Sequence, residues 1–311
     1  MRFALRAANG FIIDGLMGYR GDSDFTDALI LATLVQCNAA PVSADPVLQR
    51  RYATFESPAP DDLRRPISIN AIASSLGLPF ETVRRRVKRM IAAGVVEMVP
   101  DGVRLVGANL HAPHHRAALD KTYATVRAFH QRLKANGCLD LMPLPPPGEG
   151  GWSFEAPPVR IVWRVASDYL LRMMEHLLPT FPSLSRAFIV LAVTRLNTAQ
   201  MPDAMRGGEG LTVEDFVPDF YRRPARASEV ASLLGLPHET VRRHLVALVE
   251  DEHCARERDG FIVPAATLAR PNVVAASSAN FRHLTRMFAE LSELGVLPLW
   301  DEDQMAASTA A

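Results

Sequence analysis

The chain has 311 residues, 48% of them apolar, and 34 Lys+Arg balance 34 Asp+Glu to a formal net charge of zero. That composition excludes a disordered polyelectrolyte and a general polycation, and the length is enough for two domains with cores of their own. Three scattered cysteines, Cys37, Cys138 and Cys254, exclude a disulfide framework and a thiolate zinc site, and they fit a reducing cytoplasm. The opening Met1-Arg2-Phe3-Ala4-Leu5-Arg6 lacks the apolar core of a signal peptide, and no uninterrupted apolar run of about 18 residues points to a membrane span.

Residues 1–18 are mostly apolar with Arg2 and Arg6 among them. The spacing of Phe25, Ala28, Leu29, Leu31, Ala32 and Val35 predicts a helix over 25–38. Residues 39–63 carry Pro41, Pro46, Pro58 and Pro60 and read as a long loop or a partly ordered arm. Ser68 is placed to cap a short helix with Ile69, Ile72, Ala73 and Leu76 on one side, which Gly77 would end. Pro79 opens a second helix that would bury Val83, Val87, Met90 and Ile91, leaving Glu81, Thr82, Arg84, Arg85, Lys88 and Arg89 outward. Val95 to Val99 and Val103 to Val106 flank Pro100-Asp101-Gly102, a hairpin signal.

His111-Ala112-Pro113-His114-His115 has no carboxylate or cysteine at ligand spacing, so it reads as a surface loop or helix entry, not a metal site. A basic amphipathic helix follows over 116–135, with Leu119, Tyr123, Val126, Phe129 and Leu133 apolar. Residues 142–158, with six prolines and three glycines, read as a semi-stiff tether. Helices are predicted over 159–179 and 184–197, then a flexible connection over 198–221 containing Gly207-Gly208 and Gly210. A further amphipathic helix is predicted over 278–294, with Phe281, Leu284, Met287, Phe288 and Leu291, and Gln304 to Ala311 form a tail expected to lack order.

The stretch Leu76-Gly77-Leu78-Pro79-Phe80-Glu81-Thr82-Val83-Arg84-Arg85 returns as Leu234-Gly235-Leu236-Pro237-His238-Glu239-Thr240-Val241-Arg242-Arg243, 158 positions later. Aligned without gaps, 16 of the 42 pairs from 64 to 105 are identical. Chance at ordinary residue usage would give roughly two or three, so the chain reads as an internal duplication. The second copy repeats the hairpin signal at Asp259-Gly260, and its His253-Cys254 falls opposite Val95-Val96, which predicts a buried place for them.

Helix, Gly turn, helix, hairpin is the order of a winged helix-turn-helix. The run Glu81-Thr82-Val83 with Arg85 resembles the recognition helix of the cAMP-receptor class of bacterial transcription regulators. That resemblance implies base contacts from Glu81 and Arg85, and from Glu239 and Arg243 in the second copy. Arg can bond guanine O6 and N7 together, and Glu can accept from cytosine N4. The arginine which that class places before the glutamate is Phe80 here and His238 in the second copy. The resemblance covers only the repeated stretch, and a cyclic-nucleotide domain is not implied. Glu81 and Arg85 are also spaced to pair with each other on a solvated helix face. Local charge favours DNA: positions 64–89 hold seven Lys/Arg and one Glu, a net of +6, and positions 222–247 hold five Arg and two Glu, a net of +3.

The expected fold is therefore mainly α with small β-hairpins: two winged helix-turn-helix domains related by internal duplication, plus flanking helices. The divisions expected are 1–145, a linker at 146–158, 159–303 and a tail at 304–311. The expected DNA-binding residues are Phe80, Glu81, Thr82, Arg84, Arg85, Lys88, Arg89 and Arg104, then His238, Glu239, Thr240, Arg242, Arg243, Arg256 and Arg258. The partner is double-stranded DNA, read by one chain as a pseudo-dimer on an imperfect palindrome. In winged regulators a helix after the wing makes dimer contacts, so the helices at 116–135 and 278–294 would pack on each other, or each would cap its own core, and a homodimer is a further expected partner. The alternative is an interaction, architectural or replication-initiation protein in which only the first copy touches DNA. The chain has no Gly-rich phosphate loop with Lys-Ser/Thr, no His-Glu-x-x-His and no Gly-x-Ser-x-Gly, so no catalytic residue, metal, cofactor or membrane partner is expected, and no polar constellation names an effector.

Overall fold

A computed structural model describes residues 2–21, 23–202 and 213–309, with side chains described as far as residue 302. The segment that carries Gly207, Gly208 and Gly210 lies outside the described residues. In chain order the helices are α1 (Arg2–Arg20), α2 (Phe25–Ser43), α3 (Pro46–Arg51), α4 (Ile69–Leu76) and α5 (Phe80–Ala92). Strands β1 (Val96–Val99) and β2 (Gly102–Leu105) precede α6 (Pro113–Ala135), α7 (Val159–Leu177) and α8 (Leu184–Asn197). Helices α9 (Ala227–Leu234) and α10 (His238–Glu250) are followed by β3 (Ala255–Glu257) and β4 (Gly260–Ile262). Helices α11 (Ala265–Leu268), α12 (Pro271–Glu293) and α13 (Val296–Thr309) complete the described chain.

Two compact units result, and neither is continuous in sequence. Unit 1 comprises Met1–Ala28, Arg132–Leu141 and Arg172–Arg282; unit 2 comprises Leu29–Gln131, Met142–Leu171 and His283–Ala311. The chain-order division at 146–158 therefore does not coincide with these units. Unit 2 holds α4, α5 and the β1–β2 hairpin together with the first part of α7. Unit 1 holds α9, α10 and the β3–β4 hairpin together with α1.

In unit 1, α1 buries Ala4, Leu5, Ala8, Phe11, Ile12 and Leu16, a helical stripe, and packs along α8. Phe25 meets Phe188 edge-on at 5.3 Å, and Arg195 on α8 pairs with Asp14 on α1 at 2.7 Å. Helix α8 packs in turn on α9, α10 and β4, so it is the scaffold behind the second helix-turn-helix.

In unit 2, α7 has two buried arginines whose donors go to main-chain oxygens. Arg160 donates to Phe55 O at 2.8 Å and Leu110 O at 2.7 Å, and Arg164 donates to Tyr52 O at 2.8 Å and Gln49 O at 3.0 Å. Burial lowers their guanidinium pKa values to about 10 and about 9, so both stay charged at neutral pH. These bonds fix the 49–55 segment, part of what the sequence suggested was a loose arm. Helix α2 also runs past the expected end at 38 to Ser43, with Pro41 inside it and so without the N–H that would bond back to Cys37 O. Helix α3 starts behind it with Pro46 at its first turn, and the Asp45 carboxylate accepts from Val47 N at 2.8 Å and Leu48 N at 3.3 Å.

Two more expectations change. The stretch 142–158 is docked rather than a tether: Trp152 Nε1 donates to Leu294 O at 2.7 Å, Gly148 N to Ser292 O at 3.0 Å and Ser292 Oγ to Pro145 O at 3.0 Å. Gly148 and Gly150 are needed there, since a Cβ on either would fall within 2.7 Å of a carbonyl oxygen of Glu293 or Gly295. The tail expected to lack order continues α13 to Thr309. Helix α6 does pack with the end of α12 in unit 2, where Phe129 and Phe288 lie 5.9 Å apart. Helix α2 has an 18-residue window of mean hydropathy 1.3, but 61% of that window is buried in the protein, as a core helix requires.

Candidate nucleic-acid interface

The helix-turn-helix in unit 2 is built as its sequence suggests. Ser68 Oγ accepts from Ala71 N at 3.1 Å, and Gly77 ends α4 at φ 61°, a left-handed position that suits glycine. Val83, Val87 and Met90 face inward from α5, while Ile91, expected inside, is 36% exposed at the helix end. The outward face presents Phe80, Glu81, Arg84, Arg85, Lys88 and Arg89, with Thr82 half-buried between them. In unit 1, Gly235 ends α9 at φ 59°, and α10 buries Val241, Leu245 and Leu248. Its outward face presents His238, Glu239, Arg242 and Arg243, again with a half-buried threonine, Thr240. The positions that are Lys88 and Arg89 on α5 are Val246 and Ala247 on α10, so the basic stripe there is one turn shorter.

The glutamates pair at i+3, not at i+4. Arg84 reaches Glu81 at 2.7 Å and Arg242 reaches Glu239 at 2.7 Å. The hydrogen bond from the arginine holds each carboxyl below its ordinary range, so both are ionised acceptors at neutral pH. Arg85 and Arg243 have no side-chain hydrogen bond or ion pair among the described residues.

Each hairpin is a wing with a third, one-residue strand. Ile67 and Val103 exchange backbone hydrogen bonds of 3.1 and 2.9 Å, and Ala225 and Phe261 exchange bonds of 2.9 and 2.9 Å. The turn lies one residue earlier than Asp-Gly suggests: Val99 pairs with Gly102 across Pro100-Asp101, and Glu257 with Gly260 across Arg258-Asp259. The glycines serve the third strand. A Cβ at Gly102 would lie 2.5 Å from Ile67 O, and one at Gly260 2.5 Å from Ala225 O.

Arg104 is placed on the first wing but is only 17% exposed, with Glu97 at 2.8 Å and Asp61 at 2.9 Å, so its charge is committed within the protein. Arg256 and Arg258 on the second wing are exposed. Arg64 and Arg222, which contribute to the sequence-level basic charge, are both 5% exposed and do not belong to the outer face. Arg64 bonds Asp61 and donates to Leu105 O at 2.7 Å, and Arg222 bonds Asp219 at 3.2 Å and donates to Val217 O at 3.0 Å. The repeated Asp-x-x-Arg spacing was the available signal for that role.

Two asparagines tie wing to scaffold and were not singled out as functional in the sequence. Asn38 donates to Arg65 O at 2.7 Å and accepts from Leu105 N at 2.9 Å. Asn197 donates to Arg223 O at 2.7 Å and accepts from Val263 N at 2.9 Å. Cys254 is buried as expected and burial pushes its thiol up to about 12, whereas His253, expected to be buried, is half-buried with its ring 5.1 Å from that of Phe181. Of the histidine run, His111 and His114 are exposed and His115 stacks edge-on with Trp163 at 5.0 Å. No three of His, Cys, Asp or Glu converge on a metal-sized site among the described residues.

A short scaffold helix, tight turn, outward basic helix and wing define a DNA-reading module of the winged class. Residues 65–97, which span α4, the turn, α5 and the start of β1, match the family described as winged helix-turn-helix DNA-binding. No curated protein and no solved structure matches the chain. The matched segment is thus similar to winged helix-turn-helix DNA-binding domains, and that likeness supports double-stranded DNA as a partner.

Proposed function

We propose that this protein is a sequence-specific transcription regulator of the cytoplasm, not an enzyme, and that its two winged modules arose by internal duplication. One chain then acts as a pseudo-dimer on an imperfect palindrome. The observation that carries the reading is the pair of outward faces on α5 and α10. They share Glu-Thr-Val-Arg-Arg in the same register, with the same Glu–Arg pairing at i+3. Arg85 and Arg243 are the base readers in this account, and Glu81 and Glu239 accept from cytosine N4. Because Phe80 stands opposite His238, and Lys88-Arg89 opposite Val246-Ala247, the two half-sites are related and unequal. The resemblance to the cAMP-receptor class belongs to the recognition helix alone.

The test is fluorescence anisotropy of the full chain on random duplex DNA over a salt series, followed by selection of bound sequences. Binding that weakens steeply with salt and selects two unequal inverted half-sites supports the proposal. Selection of a single half-site would leave a DNA-binding protein but end the pseudo-dimer. An absence of binding at low salt would end the regulator reading.

A further inference from the structure

At its N-terminal end the outward face of α5 carries a large apolar side chain among its charges. Phe80 is the first residue of the helix and is 44% exposed. Its ring makes no aromatic or cation-π contact among the described residues. The backbone that carries it is fixed, since Thr82 N and Val83 N both bond back to Pro79 O, at 2.9 and 3.2 Å. Glu81, Arg84, Arg85 and Lys88 are exposed on the same helix.

A single exposed apolar residue is ordinary on a protein surface, so exposure alone assigns nothing. The position does. The N-terminal residues of a recognition helix are those that meet base edges in the major groove. A protein partner is the poorer match for this face. One phenyl ring gives it little apolar area to bury, whereas three cations against one carboxylate suit a polyanion.

The chemistry of the groove then selects the base. Base edges there present hydrogen-bond donors and acceptors, and thymine alone adds an apolar C5-methyl group. A phenyl ring set against guanine O6, adenine N6 or cytosine N4 takes water from a polar group and offers no hydrogen bond in return. Set against thymine, it buries a methyl group. The equivalent residue of α10 is His238, which is exposed and whose ring nitrogens can donate and accept, so this preference belongs to α5 alone.

We infer that Phe80 reads the 5-methyl group of one thymine in the half-site bound by α5. The inference rests on the regulator reading above and adds the identity of one base to it.

Replacing each thymine of a selected site by deoxyuridine, one at a time, removes that methyl group and leaves base pairing intact. Anisotropy of the full chain on these duplexes is the test. One position, in the half-site whose preference Arg85→Ala relaxes, should lose roughly fourfold in affinity, the worth of one buried methyl group. Phe80→Ala should bind thymine and deoxyuridine alike at that position, and Phe80→Leu, still apolar, should keep part of the difference. A ring that merely steadied the helix would weaken both duplexes equally on removal and leave their ratio unchanged. The scan on the unaltered chain is decisive without any variant. A scan with no sensitive thymine in that half-site overturns the inference, as does a fourfold difference that persists in Phe80→Ala. Absence of duplex binding would end the regulator reading and this inference with it, whereas binding with a flat scan ends this inference alone.

Discussion

Glu81 is bound by Arg84, one turn along α5, at 2.7 Å, and Arg85 beside it has no such partner among the described residues. An exposed pair of this kind adds little stability. Its effect is to settle which arginine points a free fork outward and to hold the carboxylate ionised at the start of the helix. The same relation holds between Glu239, Arg242 and Arg243. Replacing Arg85 by Ala should therefore cost about 1–3 kcal/mol of binding and relax base preference in one half-site. Arg243→Ala should do the same in the other. Selected-sequence profiles of the two variants check this, and unchanged preference in both would remove the base contacts assigned to these residues.

Lys88 is exposed on α5 and has a different role to test. A phosphate contact carries no sequence information, and each one adds about 0.9 to the slope of log affinity against log salt. Lys88→Ala should weaken binding to all duplexes alike and lower that slope by about 1. Anisotropy on a selected and a random duplex at several salt concentrations separates this outcome from a loss confined to one sequence.

The parts of the fold that were legible are those set by neighbours in sequence. Ser68, Gly77 and Pro79 mark the helix-turn-helix because capping, left-handed backbone and a missing N–H are local effects. The outward face followed from the same periodicity. The parts that were not legible depend on distant partners. Nothing local in Arg160 or Arg164 says that their donors end on residues 49–55 and 110, or that α7 shares a unit with the first helix-turn-helix and α1 with the second. Trp152 likewise looks like linker until Leu294 O is found at its indole nitrogen. Arg104 reads as a free cation until Asp61, 43 positions away, closes on it.

Asn38 is 2% exposed and joins α2, Arg65 and β2 through one side chain. Asn38→Ala leaves a backbone N–H and a backbone carbonyl without this partner, and each orphaned buried group costs about 1–3 kcal/mol. A lower denaturation midpoint is expected, together with weaker DNA binding as the wing loosens. Asn197→Ala, from a residue with no exposure, should act likewise on the second module.

Gly102 and Gly94 both have positive φ, 137° and 68°, but only Gly102 faces a neighbour, with a Cβ 2.5 Å from Ile67 O. Gly94→Ala pays backbone strain alone, about 1–2 kcal/mol. Gly102→Ala also pushes the third strand of the wing away, so its loss of stability should exceed that of Gly94→Ala. Its DNA affinity should fall while that of Gly94→Ala holds. Denaturation and anisotropy on the two variants compare them directly.

His115 gives the protein a defined acid response. Burial, and then the charges of Arg160, His114 and His111, lower its pKa from 6.5 to about 4. The folded state therefore holds the ring neutral, while the unfolded chain takes up a proton below pH 6.5. The neutral ring's contribution is intact above pH 6.5, is lost progressively as pH falls toward 4, and changes no further below that. One pKa unit is about 1.4 kcal/mol, so the loss is on the order of 3 kcal/mol. His115→Phe keeps a ring against Trp163 and removes the titration. Between pH 6.5 and 4 the variant's unfolding free energy should fall less than that of the original chain, and parallel curves over that window would show that His115 does not carry the response.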